Sequence, residues 1–177
     1  MFAKVFVLAL VVALTNAKAE IEFDNEWEGE LDFECDRPEM IHGIYSVHSN
    51  KVDDRKFRFD CTQAPSGATP GKCQWTDDFV NRYDETVMYA CPANMILAGV
   101  KSFFRKKSED RIMRFKCCKD SGVLTTGCTI TDYINDWDEE LRYQVPDGKV
   151  VIGWFSVHSD KKGDRRHRML ECRYRTP

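Results

Sequence analysis

The side chains that could do chemistry here are histidines beside serines, repeated Asp-Arg pairs and clustered cations. Ser46-Val47-His48-Ser49 recurs as Ser156-Val157-His158-Ser159. A serine next to a histidine invites a nucleophile activated by a general base. The equivalent position in the middle of the chain is Phe104, so one copy has no base, and no G-x-S-x-G turn accompanies the others. Histidines at the rim of a strand are the simpler reading. Carboxylates are plentiful, but nothing in their order places two at glycosidase separation. No catalytic residue and no cofactor are expected.

The Asp-Arg pairs are Asp54-Arg55, Asp110-Arg111 and Asp164-Arg165. A catalytic centre needs one such pair, whereas three at one structural position fit a clamp. Just ahead of them lie Lys51, then Arg105, Lys106 and Lys107, then Lys161 and Lys162. If the three segments meet, these six cations surround one end of the molecule, where they would attract sulfated or carboxylated polysaccharide. The plainer alternative is solvated loop charge, because Asp53, Glu109 and Asp160 are interspersed with them.

These groups sit on a strand written three times. Asp54 to Cys61, Asp110 to Cys118 and Asp164 to Cys172 begin 56 and 54 residues apart, and a glycine (Gly43, Gly99, Gly153) precedes each Asp by 11. Alternation places Arg55, Phe57 and Phe59 on one face, with Asp54, Lys56 and Arg58 on the other. Upstream, each copy opens with Asn-x-aromatic-acid: Asn25 to Glu28, Asn81 to Asp84, Asn135 to Asp138. A short alternating strand follows (31–35, 87–91, 141–145), then a turn carrying Pro38, Pro92 or Pro146. The next strand (40–48, 96–104, 150–158) is apolar on both faces and so central in a sheet.

Each unit therefore reads as a three-stranded antiparallel meander, with units at about 20–65, 73–120 and 128–177. The stretches 62–72 and 120–127 read as loops. Three small sheets, none able to bury its own face, should close on a pseudo-threefold axis. The all-β domain predicted is a prism or barrel, with a trefoil-like arrangement as the competitor.

Eight cysteines allow 105 pairings, which the repeat prunes. Cys35 to Cys61 and Cys91 to Cys117 both span 26 residues. The third copy has Val145 and Glu171 at those places, so both partners are missing together. Cys73 and Cys128 head their units, while Cys118 and Cys172 each lie 8 residues after their Asp, so Cys73–Cys118 and Cys128–Cys172 complete the set. There is no C-x-x-C and no zinc-type Cys/His spacing, so no metal is expected.

Met1 to Ala19 has the charged start, short apolar run and small-x-small end of a secretory leader. That makes 20–177 a single secreted domain, in keeping with its cysteines. The formal charge of −3 becomes more negative without Lys4 and Lys18, which excludes a general nucleic-acid binder. No Asn-x-Ser/Thr acceptor is present.

The pattern N-x-W-x-G-x-L-x-F-x-C at Asn25 to Cys35, with the thrice-used D-R-x-[FMH]-x-[FM], resembles the dermatopontin family. The resemblance covers the mature chain. It implies a disulfide-rich, non-enzymatic matrix or agglutinin protein that binds polysaccharides, matrix proteins or cell-surface receptors and gains avidity from its repeats or from homo-oligomers. The tyrosine-rich N-terminus of vertebrate members is absent, so the chain is more similar to the invertebrate agglutinin branch. The alternative is a cytotoxin-like member acting on membranes.

Overall fold

The computed structural model describes residues 21–65 and 70–176; the leader read at 1–19 lies outside them. Eleven strands and no helix make up the described chain: β1 (Leu31–Glu34), β2 (Glu39–Ser49), β3 (Asp54–Gln63), β4 (Pro70–Trp75), β5 (Val87–Ala90), β6 (Met95–Arg105), β7 (Asp110–Asp120), β8 (Leu124–Ile130), β9 (Leu141–Gln144), β10 (Lys149–Ser159) and β11 (Asp164–Arg175). The class is all-β, as the alternation required. The stretches expected as loops differ in part. Residues 70–72 open β4 and 124–127 open β8, because each hydrogen-bonds the free edge of a repeated strand, β7 or β11.

Strand order corrects the meander. The long hairpins form within units, as β2–β3, β6–β7 and β10–β11. The short first strand of each unit does not join its own hairpin. Instead β1 pairs with β6, β5 with β10 and β9 with β2, giving the sheets β1-β6-β7-β4, β5-β10-β11-β8 and β3-β2-β9. The exchange is cyclic and keeps one register: Leu31, Val87 and Leu141 face Ser102, Ser156 and Ser46. Pairing within a unit would leave the units without backbone bonds to one another. Exchange ties all three into a ring and covers both edges of every central strand.

A register shift interrupts each central strand at the same place, between Ile41 and Gly43, Leu97 and Gly99, and Val151 and Gly153. The bulged residue turns its carbonyl to the visiting strand: Cys35, Cys91 and Val145 donate N–H to Ala98, Ile152 and His42. Close approach explains the glycine. A Cβ on Gly153 would lie 2.5 Å from the Tyr89 carbonyl oxygen. Gly153→Ala is therefore expected to cost roughly 1–3 kcal/mol, read from thermal unfolding. A melting temperature equal to wild type would refute the contact.

The three sheets share one core. Leu31, Val87 and Leu141 from the exchanged strands are fully buried with Phe57, Met113, Phe115 and Met169 from the hairpins. Trp154, on β10, fills its centre against Phe57, Phe59 and Phe115. Its indole N–H donates to His167 Nδ1 at 2.9 Å. Burial, then the Arg55 and Arg165 charges, hold His167 well below its ordinary pKa, so the ring is neutral with its proton on Nε2.

Four disulfides close the described chain, and exchange gives them two roles. Cys35 follows β1 in one sheet and bonds Cys61 on β3 in another; Cys91 and Cys117 likewise join neighbouring sheets. Cys73–Cys118 and Cys128–Cys172 instead fasten the edge strands β4 and β8 to β7 and β11. The third junction between sheets has no sulfur. There Tyr143 donates its hydroxyl to Glu171 at 2.6 Å, and Lys149 reaches the same buried carboxylate at 2.6 Å. Burial, followed by the bond to Glu171, pushes the Tyr143 hydroxyl far above its ordinary pKa, so it remains a donor.

Candidate functional site

The three Asp-Arg pairs meet around one axis, and each arginine reaches across to another unit's aspartate. Arg111 grips Asp54 through Nε and Nη2 at 2.6 and 2.7 Å. Arg165 holds Asp110 at 2.5 and 2.8 Å, and Arg55 holds Asp164 at 2.5 and 2.8 Å. All six side chains are at most 5% exposed. Alternation had put the aspartates on the outer face; they are buried because a further donor, a backbone N–H, converges on each beside the arginine. The Glu28, Asp84 and Asp138 backbone N–H groups bond Asp54, Asp110 and Asp164 at 2.7–2.8 Å. This completes a fork-to-fork ion pair with a third, charge-assisted bond.

That third bond gives the Asn-x-aromatic-acid motif its role. Asn25, Asn81 and Asn135 accept N–H from Phe57, Met113 and His167 and donate to the Arg55, Arg111 and Arg165 carbonyls. Each side chain thus pairs with the strand edge as a neighbouring strand would. Three residues further on, Glu28, Asp84 and Asp138 take positive φ (57°, 69° and 66°) so that their N–H turns inward. The fixed spacing of the motif was visible in the sequence, but its function as a cap on the next Asp was not.

The β2–β3, β6–β7 and β10–β11 loops converge above this ring. Asp53, Glu109 and Gly163, each directly before its Asp, line a shared axial cavity of about 20 Å³ and all have φ near +50°. A cavity of that volume is the size of one water and too small for a sugar ring.

Lys51, Arg105, Lys106, Lys107, Lys161 and Lys162 all stand exposed on those loops. Three are engaged. Arg105 lies 3.9 Å over the Tyr83 ring, Lys106 pairs with Glu28 at 2.9 Å, and Lys162 pairs with Asp138 at 2.5 Å. Lys51, Lys107 and Lys161 have no ion-pair partner among the described residues, and each sits three positions before its unit's Asp. One unengaged lysine per loop is a regularity that a simple count of cations had hidden.

The histidines of the Ser-Val-His-Ser motifs stand at the rim of the central strands, one residue from the ends of β2 and β10, but their side chains turn inward. His48 and His158 are buried to 1% exposure between units, with Nε2 at 3.1 Å from the Gly163 carbonyl and 3.2 Å from the Glu109 carbonyl. Ser46 and Ser156 point into the core, and Ser156 Oγ accepts from Arg165. Among the described residues no serine bonds either histidine, so the geometry offers no activated nucleophile.

The described chain is thus a cyclic, disulfide-stapled all-β repeat with its hairpin loops gathered at one end. The dermatopontin family model matches residues 25–176, and the chain belongs to that family. It is 33% identical over 169 residues, 94% of each chain, to the hemagglutinin/amebocyte aggregation factor of Limulus polyphemus. It is 28% identical to a dermatopontin of Biomphalaria glabrata, covering 81% of this chain and 94% of that one. Millepora cytotoxin-1 of Millepora dichotoma is also 28% identical, over 90% of this chain and 68% of the relative. No solved structure matches it. The family is one of adhesion and agglutination proteins.

Proposed function

We propose that this is a secreted, non-enzymatic adhesion protein whose loop end binds acidic polysaccharide on cell surfaces or in extracellular matrix. The supporting observation is the recurrence of one exposed, unengaged lysine on each of three converging loops: Lys51, Lys107 and Lys161. Three point charges on a rigid frame suit a polyanion whose own charges repeat, and their flexible stems tolerate variation in spacing. Lys106 and Lys162 add charge around them once a polyanion displaces Glu28 and Asp138 from them, and Arg105 adds its own from over the Tyr83 ring. Clumping of cells, the activity in the name of the Limulus relative, then needs either several sites per particle or an oligomer.

The test is a heparin column. Replacing Lys51, Lys107 and Lys161 with serine is expected to weaken retention by roughly tenfold at about 0.1 M ionic strength, at about half a kcal/mol for each exposed pair. Neutralising all six cations should abolish retention. Unchanged elution in the sixfold variant rejects the loop end as the binding surface. The Millepora relative supports a second reading, a cytolysin. Haemoglobin release from red cells, instead of clumping, decides for it.

A further inference from the structure

We infer that Asp84, His158 and Asp160 form a binding site for one divalent transition-metal cation of the zinc type, at the junction of the second and third units. His158 Nε2 faces the Glu109 carbonyl at 3.2 Å, and a carbonyl only accepts, so Nε2 carries the proton. Nδ1 then directs its lone pair at two carboxylates, 3.2 Å from Asp160 Oδ1 and 3.6 Å from Asp84 Oδ1. It is buried and makes no hydrogen bond, although the side chain is only 1% exposed. A buried lone pair held against two anionic oxygens needs a positive charge among them.

The geometry favours a metal over a single proton. The three ligand atoms all lie within 4.8 Å of one another. Tetrahedral ligands at about 2.0–2.2 Å from zinc stand roughly 3.3–3.6 Å apart, matching both imidazole–carboxylate distances. A proton would serve one oxygen; a cation takes all three atoms and leaves a position for water. The Nε2–H bond to a backbone carbonyl is also the arrangement that orients a metal-bound imidazole. A nitrogen ligand in a site of three disfavours calcium and magnesium.

The other two units provide internal controls. At the first unit's equivalent position Asn50 replaces Asp160, and His48 Nδ1 is 3.9 Å from Asp138. The carboxylates near His48 are already neutralised, Asp138 by Lys162 and Asp164 by Arg55. At the second, Phe104 replaces the histidine and Lys106 neutralises Glu28. His48, Asp138 and Asp164 also bring three ligand atoms within 4.8 Å, but both carboxylates there are paired with cations. Among the described residues the Asp84–His158–Asp160 position alone keeps its histidine with two carboxylates free of Lys or Arg, whether or not the loop end binds polyanions.

Chelator-treated protein titrated with Zn²⁺ by calorimetry, and with Co²⁺ by visible absorption, tests this. One equivalent should bind, with the intense bands of a low-coordinate Co²⁺ site. D160N and H158F should each lower the affinity at least tenfold, while H48F leaves it unchanged. Asp160 is 86% exposed, so D160N probes the site even if H158F folds poorly. Absence of binding, or binding that survives D160N, overturns the inference; so does loss of binding in H48F.

Discussion

Replacing Asp110 with asparagine is expected to remove about 3–5 kcal/mol of folding stability, measured as a shift of the urea midpoint at constant slope. The reason is what the change leaves behind. Arg165 donates two bonds to Asp110, and the guanidinium is 5% exposed, so a neutral partner strands a positive charge away from water. The Asp84 N–H loses a charged acceptor as well. Because the ring is cyclic, Asp54→Asn and Asp164→Asn should cost the same within about 1 kcal/mol, each stranding the arginine of a different unit. Replacing both members of one pair with apolar residues of similar volume should recover much of the loss, since a buried ion pair owes little net stability to its own attraction. A loss below about 1 kcal/mol for all three single variants would mean that the arginines are hydrated, and the clamp would fail as an explanation.

The second large effect is a gain. The Val145/Glu171 junction is the one place between sheets where the repeat has no disulfide. Its two counterparts have Cα atoms 5.9 and 5.8 Å apart, within the range a disulfide spans. The double variant V145C/E171C should therefore form a third staple closing about 26 residues, worth about 3.5 kcal/mol in the chain-entropy account. Losing Glu171 frees Tyr143 and Lys149 from their partner, which takes back roughly 1–2 kcal/mol. A net rise in stability of about 2 kcal/mol under oxidising conditions, reversed by reduction at that bond, is the expected result. If the two introduced thiols remain free in the folded protein, the third junction does not copy the other two. Glu171→Gln alone should destabilise, because it exchanges a charged acceptor for an amide between two donors.

Much of this molecule is encoded locally and can be read residue by residue. Alternation along Asp54 to Cys61 and its two copies determines the strands and which face carries the aromatic residues. The shared absence of cysteine at positions 145 and 171 is a statement about pairing that needs no coordinates. The triplicated Asp-Arg identifies a structural clamp because an active site has no use for three.

What the chain order could not decide is which copy each piece serves. Leu31 to Glu34 presents the same pattern to all three central strands, so exchange and self-pairing look alike in sequence and differ only in the global closure. The same ambiguity hid the partners of Arg55, Arg111 and Arg165, which lie 109, 57 and 55 residues away in the chain. It also hid the meeting of Asp84 with His158, since carboxylates in different units become neighbours only when the loops are brought to one end. Side-chain type and period are properties of a segment; proximity between repeats is a property of the ring, and only the folded ring decides it.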